Sequence, residues 1–323
     1  MSRRAADGWH WVAPAHPSRL CPMNDVVCFE GVSARFGTVT ALDNLNLELR
    51  GGELSALLGP NGAGKTTALG LLLGLTRPSQ GTVRVLGGSP RQASVRRGVG
   101  AMLQEVSAPP NLSVLELLRL YAALYPAPIS TGRALELSGL SDQAPLRASR
   151  LSGGQQRRLS FALAVIGNPE LLLLDEPTVA MDVQGRAAFW QGIAELRSGG
   201  CTVLLTTHLL EEVDRAADRV IVLSRGRVVA DGTPGSVRAR VGLSRVRFSS
   251  RLDAARWRTV VALGDLIDGG PAGQFSVRTR APEALVRAAL HLDPDLNDLE
   301  VTRASLEDAF LSLTGPAPTG ESA

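Results

Sequence analysis

The segment Gly59-Pro60-Asn61-Gly62-Ala63-Gly64-Lys65-Thr66 constrains this chain more than any other, because it fits G-x-x-x-x-G-K-[ST] between an apolar run, 54–58, and a helical run, 66–75. A strand that breaks into a glycine-rich turn and resumes as a helix belongs to open α/β sheets, with the turn at the strand's carboxyl end. Glycines let successive backbone N–H groups converge on one point, and the helix adds its partial positive charge there, so the turn is a cradle for phosphate. In that cradle Lys65 would reach the β- and γ-phosphates and the Thr66 hydroxyl would ligate Mg2+, with Thr67 following on the helix. Lys65 is the only lysine in the 323 residues. With such a composition roughly one accidental match per thousand chains is expected, so an accidental glycine-rich turn is set aside.

Around this cradle the sequence alternates. Strands are predicted at 26–30, 45–49, 54–58, 82–86 and 99–103, helices at 114–124, 132–138 and 155–166, and then strands at 171–174, 202–206 and 220–223 with helices at 184–197 and 209–217 between them. Continuous apolar runs separated by helices indicate strands buried on both faces of a parallel sheet. A turn at 224–227 leads to a last strand, 228–230, and the run 231–235 is strong turn punctuation. The expected organisation is an α/β main domain over 25–237, with a helical subdomain at about 105–167. A small C-terminal α+β module over 238–314 would follow, built on 244–248, 274–278, 282–290 and 305–313. Residues 1–24 are expected to form a disordered extension, with Met23 a second candidate start, and 315–323 a tail.

Composition excludes several classes. At 44% hydrophobic and 20% charged the chain is an ordinary globular one, and a net charge of +3 with scattered basic residues gives nucleic-acid binding little support. No run approaches the ~20 apolar residues of a membrane span. Cys21, Cys28 and Cys201 have no metal-ligand spacing and are expected to be plain thiols in a reduced compartment.

Asp175-Glu176 follows the apolar run 171–174, which puts two carboxylates at the sheet edge where open α/β folds present their ligands. Asp175 would hold Mg2+ and Glu176 would orient or deprotonate the attacking water. Shortly before them, Leu151-Ser152-Gly153-Gly154-Gln155 is similar to the signature motif of ATP-binding cassette (ABC) ATPases. Ser152 is a good N-cap, which leaves exposed N–H groups at the positive end of a helix. The resemblance covers about residues 25–235. It implies an ABC cassette, a P-loop NTPase fold with a mixed sheet and a helical insertion, that binds ATP and Mg2+ and hydrolyses ATP.

The resemblance further implies that Ser152, Gly154 and Gln155 bind the γ-phosphate held by a partner subunit, so that two ATP molecules lie between two cassettes. Along with Gly59, Asn61, Gly62 and Gly64, other family positions match one by one. Phe36 resembles the aromatic that stacks on adenine; Gln104 the glutamine that senses Mg2+ and the attacking water; His208 the switch histidine; and Asp182 the aspartate of the loop after the base. That loop, Val179-Ala180-Met181-Asp182, has valine where the family commonly has serine, which implies altered communication between the two sites. The tail run 304–315 resembles the end of exporter ATPases of the daunorubicin-resistance type. The implied role is the ATP-hydrolysing subunit of an exporter, working with a separate transmembrane permease and a second ATP-binding subunit, as a homodimer, on the inner face of the cell membrane. Segment 108–118 near Gln104 would receive the permease. Two other classes stay open: a soluble ABC ATPase acting on ribosomes or DNA, and a regulatory cassette without turnover.

Overall fold

The computed structural model describes residues 25–103, 111–242, 244–252, 256–257, 265–269, 273–303 and 305–315. The expected extension 1–24, Gln104, part of the expected permease-docking segment and residues 316–323 of the tail lie outside them. The chain opens with β1 (Asp25–Phe36), β2 (Val39–Arg50), β3 (Leu54–Leu58), α1 (Lys65–Leu72), β4 (Gln80–Val85), α2 (Ala93–Arg97) and β5 (Val99–Met102). Helices α3 (Val114–Ala122), α4 (Thr131–Ser138) and α5 (Gly153–Val165) precede β6 (Leu171–Asp175), α6 (Val183–Ser198), β7 (Thr202–Thr206), α7 (Leu210–Ala216), β8 (Arg219–Ser224), β9 (Arg227–Gly232) and α8 (Pro234–Val241). Then come β10 (Ser244–Ser249), β11 (Asp265–Gly269), β12 (Gln274–Thr279), α9 (Pro282–Leu292), β13 (Asn297–Arg303) and α10 (Leu306–Thr314).

The short apolar runs pair into one six-stranded sheet in the order β5-β6-β7-β3-β8-β9, parallel except for β9. Successive side chains point to opposite faces. Leu54, Leu58, Leu172, Leu174, Val203 and Val220 meet Phe161 of α5, Phe189 of α6, Val213 of α7 and Val237 of α8 on one face. Leu57, Leu171, Leu173, Leu204 and Ile221 meet Leu69 and Leu72 of α1 and Phe29 of β1 on the other. Each such fully buried leucine stabilises the fold by roughly 1.5–3 kcal/mol, and the carboxylates of the site stand beyond this apolar stretch, at the carboxyl ends of the strands.

Helix α5 is apolar on two sides beyond its first turns. Phe161, Ala164 and Val165 face the sheet, while Leu159, Ala162 and Leu163 pack with Val114, Leu117 and Leu118 of α3 and Leu135 of α4. It therefore roots the helical insertion in the sheet. Ser113 and Glu116 close a capping box at the start of α3, and Gly139, left-handed at φ 63°, ends α4.

Two differences from the sequence reading have local causes. Strands β1 and β2 are far longer than 26–30 and 45–49, because register shifts between Phe29 and Val32 and between Val32 and Ala34, near the left-handed Gly31, break the alternation that marks a strand. The punctuation at 231–235 closes β9 at Gly232 and at once starts a helix: the Thr233 hydroxyl accepts from the Ser236 amide at 3.2 Å and Pro234 occupies the first turn of α8.

Strands β11-β12-β10-β13 form a separate antiparallel sheet, and Val246, Phe248, Trp257, Phe275 and Val277 pack under Leu285 and Ala289 of α9. Helix α10 takes a different partner: Leu306 and Ala309 join the core of the six-stranded sheet, and the helix packs on α8 and α7. Cys201 is a free, buried thiol, which burial raises to about 11, whereas Cys28 is disulfide-bonded, correcting the expectation of three plain thiols. Among the described residues no helix is long and apolar enough to cross a membrane.

Candidate functional site

The glycine-rich turn leaves β3 and enters α1 through Gly64, at φ 108°, where a Cβ would stand 2.5 Å from the Ala41 carbonyl oxygen. Only glycine fits that approach of β2 to the helix tip. Gly59 is held as closely, since a Cβ there would lie 2.6 Å from Leu223 O, and Gly62 is left-handed at φ 79°. Lys65, half-buried at the first position of α1, donates from Nζ to Gly59 O at 2.5 Å and Pro60 O at 3.2 Å. Burial lowers its pKa below the usual lysine value, against the pull of the Glu176 and Asp175 charges. Asn61 and Thr66 are exposed on the rim and Thr67 is half-buried behind them.

Register brings the carboxylates to this rim. Leu57 pairs with Thr206 across β3 and β7, and Thr206 pairs with Asp175 across β7 and β6, so the three stand in one row near the carboxyl edge. Asp175 and Glu176 are buried, at 6% and 8% exposure. The Thr206 hydroxyl donates to Asp175 Oδ1. Glu176 follows with φ 50°, a left-handed backbone that costs a side-chain-bearing residue about 1–2 kcal/mol. Its N–H is given to Thr206 O at 3.0 Å. Its carboxylate meets His208: Oε1 lies 3.2 Å from the ring Nε2, and Oε2 accepts from the His208 amide at 3.3 Å. The histidine side chain is 58% exposed, so the pair has one protein-facing side and one solvent-facing side.

The signature segment stands apart from this cluster. Ser152 caps α5 with its hydroxyl accepting from Gln155 N at 3.3 Å, while Gln155 Oε1 accepts from Ser152 N at 2.9 Å. Ser152 and Gly153 are exposed, and a Cβ on Gly154 would lie 2.9 Å from Ala180 O of the loop after Glu176. Among the described residues no hydrogen bond joins Ser152, Gly154 or Gln155 to the glycine-rich turn. Asp182 caps α6, accepting from Gly185 N at 2.6 Å. Val179, in the position noted for its departure, is 48% exposed. Phe36 is 53% exposed at the tip of the β1–β2 hairpin, beyond the stretch of β2 that abuts Gly64.

Two residues at the site were not anticipated. Thr206 ends a strand whose apolar pattern drew attention away from its polar last residue. Arg157 lies in a run of helical polar residues and carries no signal of burial, yet it is half-buried and, among the described residues, donates to the backbone carbonyls of Leu103, Asp175 and Glu176 at the ends of β5 and β6.

The ABC transporter family profile matches residues 42–179. Over 304 residues the chain is 38% identical to the Nod factor export ATP-binding protein I of Cupriavidus metallidurans, covering 91% of this chain and 98% of that protein. It is 36% identical over 303 residues to the Daunorubicin resistance ATP-binding protein DrrA3 of Streptomyces coeruleorubidus, covering 90% of this chain and 96% of that one. A solved dimeric structure of a post-hydrolysis ATP-binding cassette bound to ADP and Pi superposes with a TM-score of 0.57 at 30% identity, over 64% of this chain and 98% of its own.

Proposed function

The chain belongs to the ATP-binding proteins of ABC transporters, and from that premise we propose that it powers export through a separately encoded permease, by closing two cassettes on ATP. It is an ATPase with the mixed parallel sheet of the ABC cassette. The direction of transport is supported by the relatives named for Nod factor export and daunorubicin resistance. Since no described helix can span a bilayer, the membrane path would belong to the permease, and this subunit would sit on the inner face of the membrane through it.

The observation that carries the residue roles is the Glu176–His208 pair, set on the same sheet edge as the turn that holds Lys65. Lys65 and the amides of the turn would neutralise the triphosphate, and Phe36 would lie against the adenine face. Glu176 would take the proton of the attacking water, and His208 would fix the carboxylate's orientation. The oxygens at the edge fit Mg2+. Asp175 is a buried carboxylate with one oxygen held by Thr206 and no ion-pair partner among the described residues, and Thr66 offers an exposed hydroxyl. A cation satisfied by one or two protein oxygens plus phosphates and water needs no more. Its charge would offset that of the phosphates.

The exposed helix tip at Ser152 supports a second cassette. It would be an anion site, exposed among the described residues of its own chain, and it would meet the γ-phosphate bound by the partner. Glu176→Gln tests the whole. The amide keeps the shape and the acceptor for the His208 amide but cannot take a proton, so kcat should fall by about 10²–10⁴-fold while ATP binding persists and an ATP-bound dimer accumulates. Turnover at the normal rate would refute the role.

A further inference from the structure

Arg157 stands one turn into α5, the helix whose first turn carries Ser152 and Gly153. Its guanidinium forks to two strand ends. Nη1 donates to Leu103 O at 3.1 Å, just past β5, and Nη2 donates to Asp175 O at 3.2 Å and to Glu176 O at 2.6 Å, at the end of β6. The shortest of these bonds therefore falls on the carbonyl of the residue that carries the left-handed backbone. Glu176 has its N–H fixed by Thr206 and its C=O fixed by Arg157, and the side chain between them faces His208. A backbone in a sparsely populated region persists only where its surroundings over-determine it, and these two bonds, with a longer one from Val179 N to the same carbonyl at 3.4 Å, are that constraint.

The fork is specific to arginine. Two nitrogens of one rigid plane reach carbonyls on different strands at once, which a single ammonium on a flexible stem cannot reproduce with the same geometry. The anchor is also firm, since α5 buries Leu159 and Leu163 against α3 and α4 and Phe161 against the sheet.

We infer that Arg157 is a positioning residue for hydrolysis: it holds the Glu176 peptide in the conformation that aims the carboxylate, and it does so from the helix whose tip faces the second nucleotide. Seating of that nucleotide's phosphate at Ser152 is thereby transmitted over one helical turn to the base of this chain's own site. The inference rests on Glu176 acting as the base.

Arg157→Ala and Arg157→Lys, made in the full-length chain, test it by steady-state phosphate release and by nucleotide calorimetry. For Arg157→Ala, kcat should fall by on the order of 10- to 100-fold, with KM and nucleotide affinity nearly unchanged. Arg157→Lys should lie between it and the wild type, and millimolar guanidinium should restore part of the rate to the alanine variant alone. In a Glu176→Gln background, Arg157→Ala should still allow the ATP-bound dimer to form, because the arginine acts on the base. Wild-type kcat in Arg157→Ala, or loss of the dimer in the double variant, would overturn the inference. Should the alanine variant fail to fold, the lysine variant decides by the same measure, with unchanged kcat counting against it. Normal turnover in Glu176→Gln alone would instead sink the reading of the base, so the two failures are distinct.

Discussion

Removing the carboxylate of Asp308 should loosen α10, by breaking its tie to Arg245 of β10 and half of its own N-terminal cap. The side chain is 2% exposed, and Arg245 Nη2 donates to its Oδ1 at 2.7 Å with Arg278 Nη1 4.0 Å from the same oxygen. The other oxygen accepts from Ser305 N at 3.0 Å and Ser305 Oγ at 2.8 Å, which closes the capping box of the helix. Loss of the charge-assisted bond costs roughly 1.5–3 kcal/mol, and loss of half the cap adds about 0.5–1 kcal/mol. Asp308→Ala should therefore cost about 3 kcal/mol, which lies at the lower edge of the range for orphaning a buried partner because Arg245 keeps some contact with water. Asp308→Asn keeps an acceptor for the cap and should cost about half as much.

Burial alone would push the Asp308 carboxyl up, and the bonds from Arg245 and from Ser305 outweigh it, so the group sits below the ordinary aspartate value. A depressed native pKa stabilises the fold fully above the unfolded value, near about 3.9, and that contribution disappears as pH falls through the native one. The gap between wild type and Asp308→Asn should thus be constant near neutrality and close below about pH 4. Urea denaturation followed by circular dichroism gives the energies, and hydrogen exchange over 306–314 locates them. Variants within about 0.5 kcal/mol of wild type at neutral pH, or a gap that widens in acid, would refute the reasoning.

Lys65→Ala should weaken nucleotide binding by about 1.5–3 kcal/mol, one charge-assisted contact to phosphate, and unchanged affinity by calorimetry would count against the cradle. Ser152→Arg should block the ATP-dependent dimer through bulk and like charge at the helix tip; undiminished dimers by light scattering would dispose of that expectation. Thr206→Val removes the donor to Asp175 Oδ1 at nearly constant volume, and it should raise the Mg2+ concentration needed for half-maximal turnover while nucleotide affinity without Mg2+ stays the same. An unshifted Mg2+ titration would separate Thr206 from the metal-holding oxygens.

Much of this arrangement was legible because it is local. The turn 59–66, the apolar run before Asp175 and the serine before two glycines each declare a backbone conformation through a few adjacent residues. What escaped was non-local or masked by pattern. Strand β13 alternates Leu299 and Val301 with polar neighbours, yet both are well exposed and Asp298 turns left-handed at φ 52°, so the run has little apolar weight. The left-handed Glu176 has no sequence signature, since an Asp-Glu pair after four leucines reads as the end of a strand. Arg157 looks like any solvated helical arginine until β5 and β6 are brought beside α5. The packing of α10 on α7 and α8 joins elements far apart in the chain, and a short apolar stripe on a capped helix does not say which surface it will cover.

A chain of 323 residues with a single lysine offers amine chemistry one side-chain target, and that target is the ammonium at the mouth of the glycine-rich turn. Burial depresses its pKa, so more of it is uncharged and nucleophilic at neutral pH than an ordinary surface lysine would be. Acylating reagents then footprint occupancy directly, the α-amino group aside: bound triphosphate shields the amine, and released product uncovers it. A lysine-directed protease has likewise one bond to cut, Lys65–Thr66 at the head of α1, so a two-fragment digest would time the opening of the pocket without any engineered label.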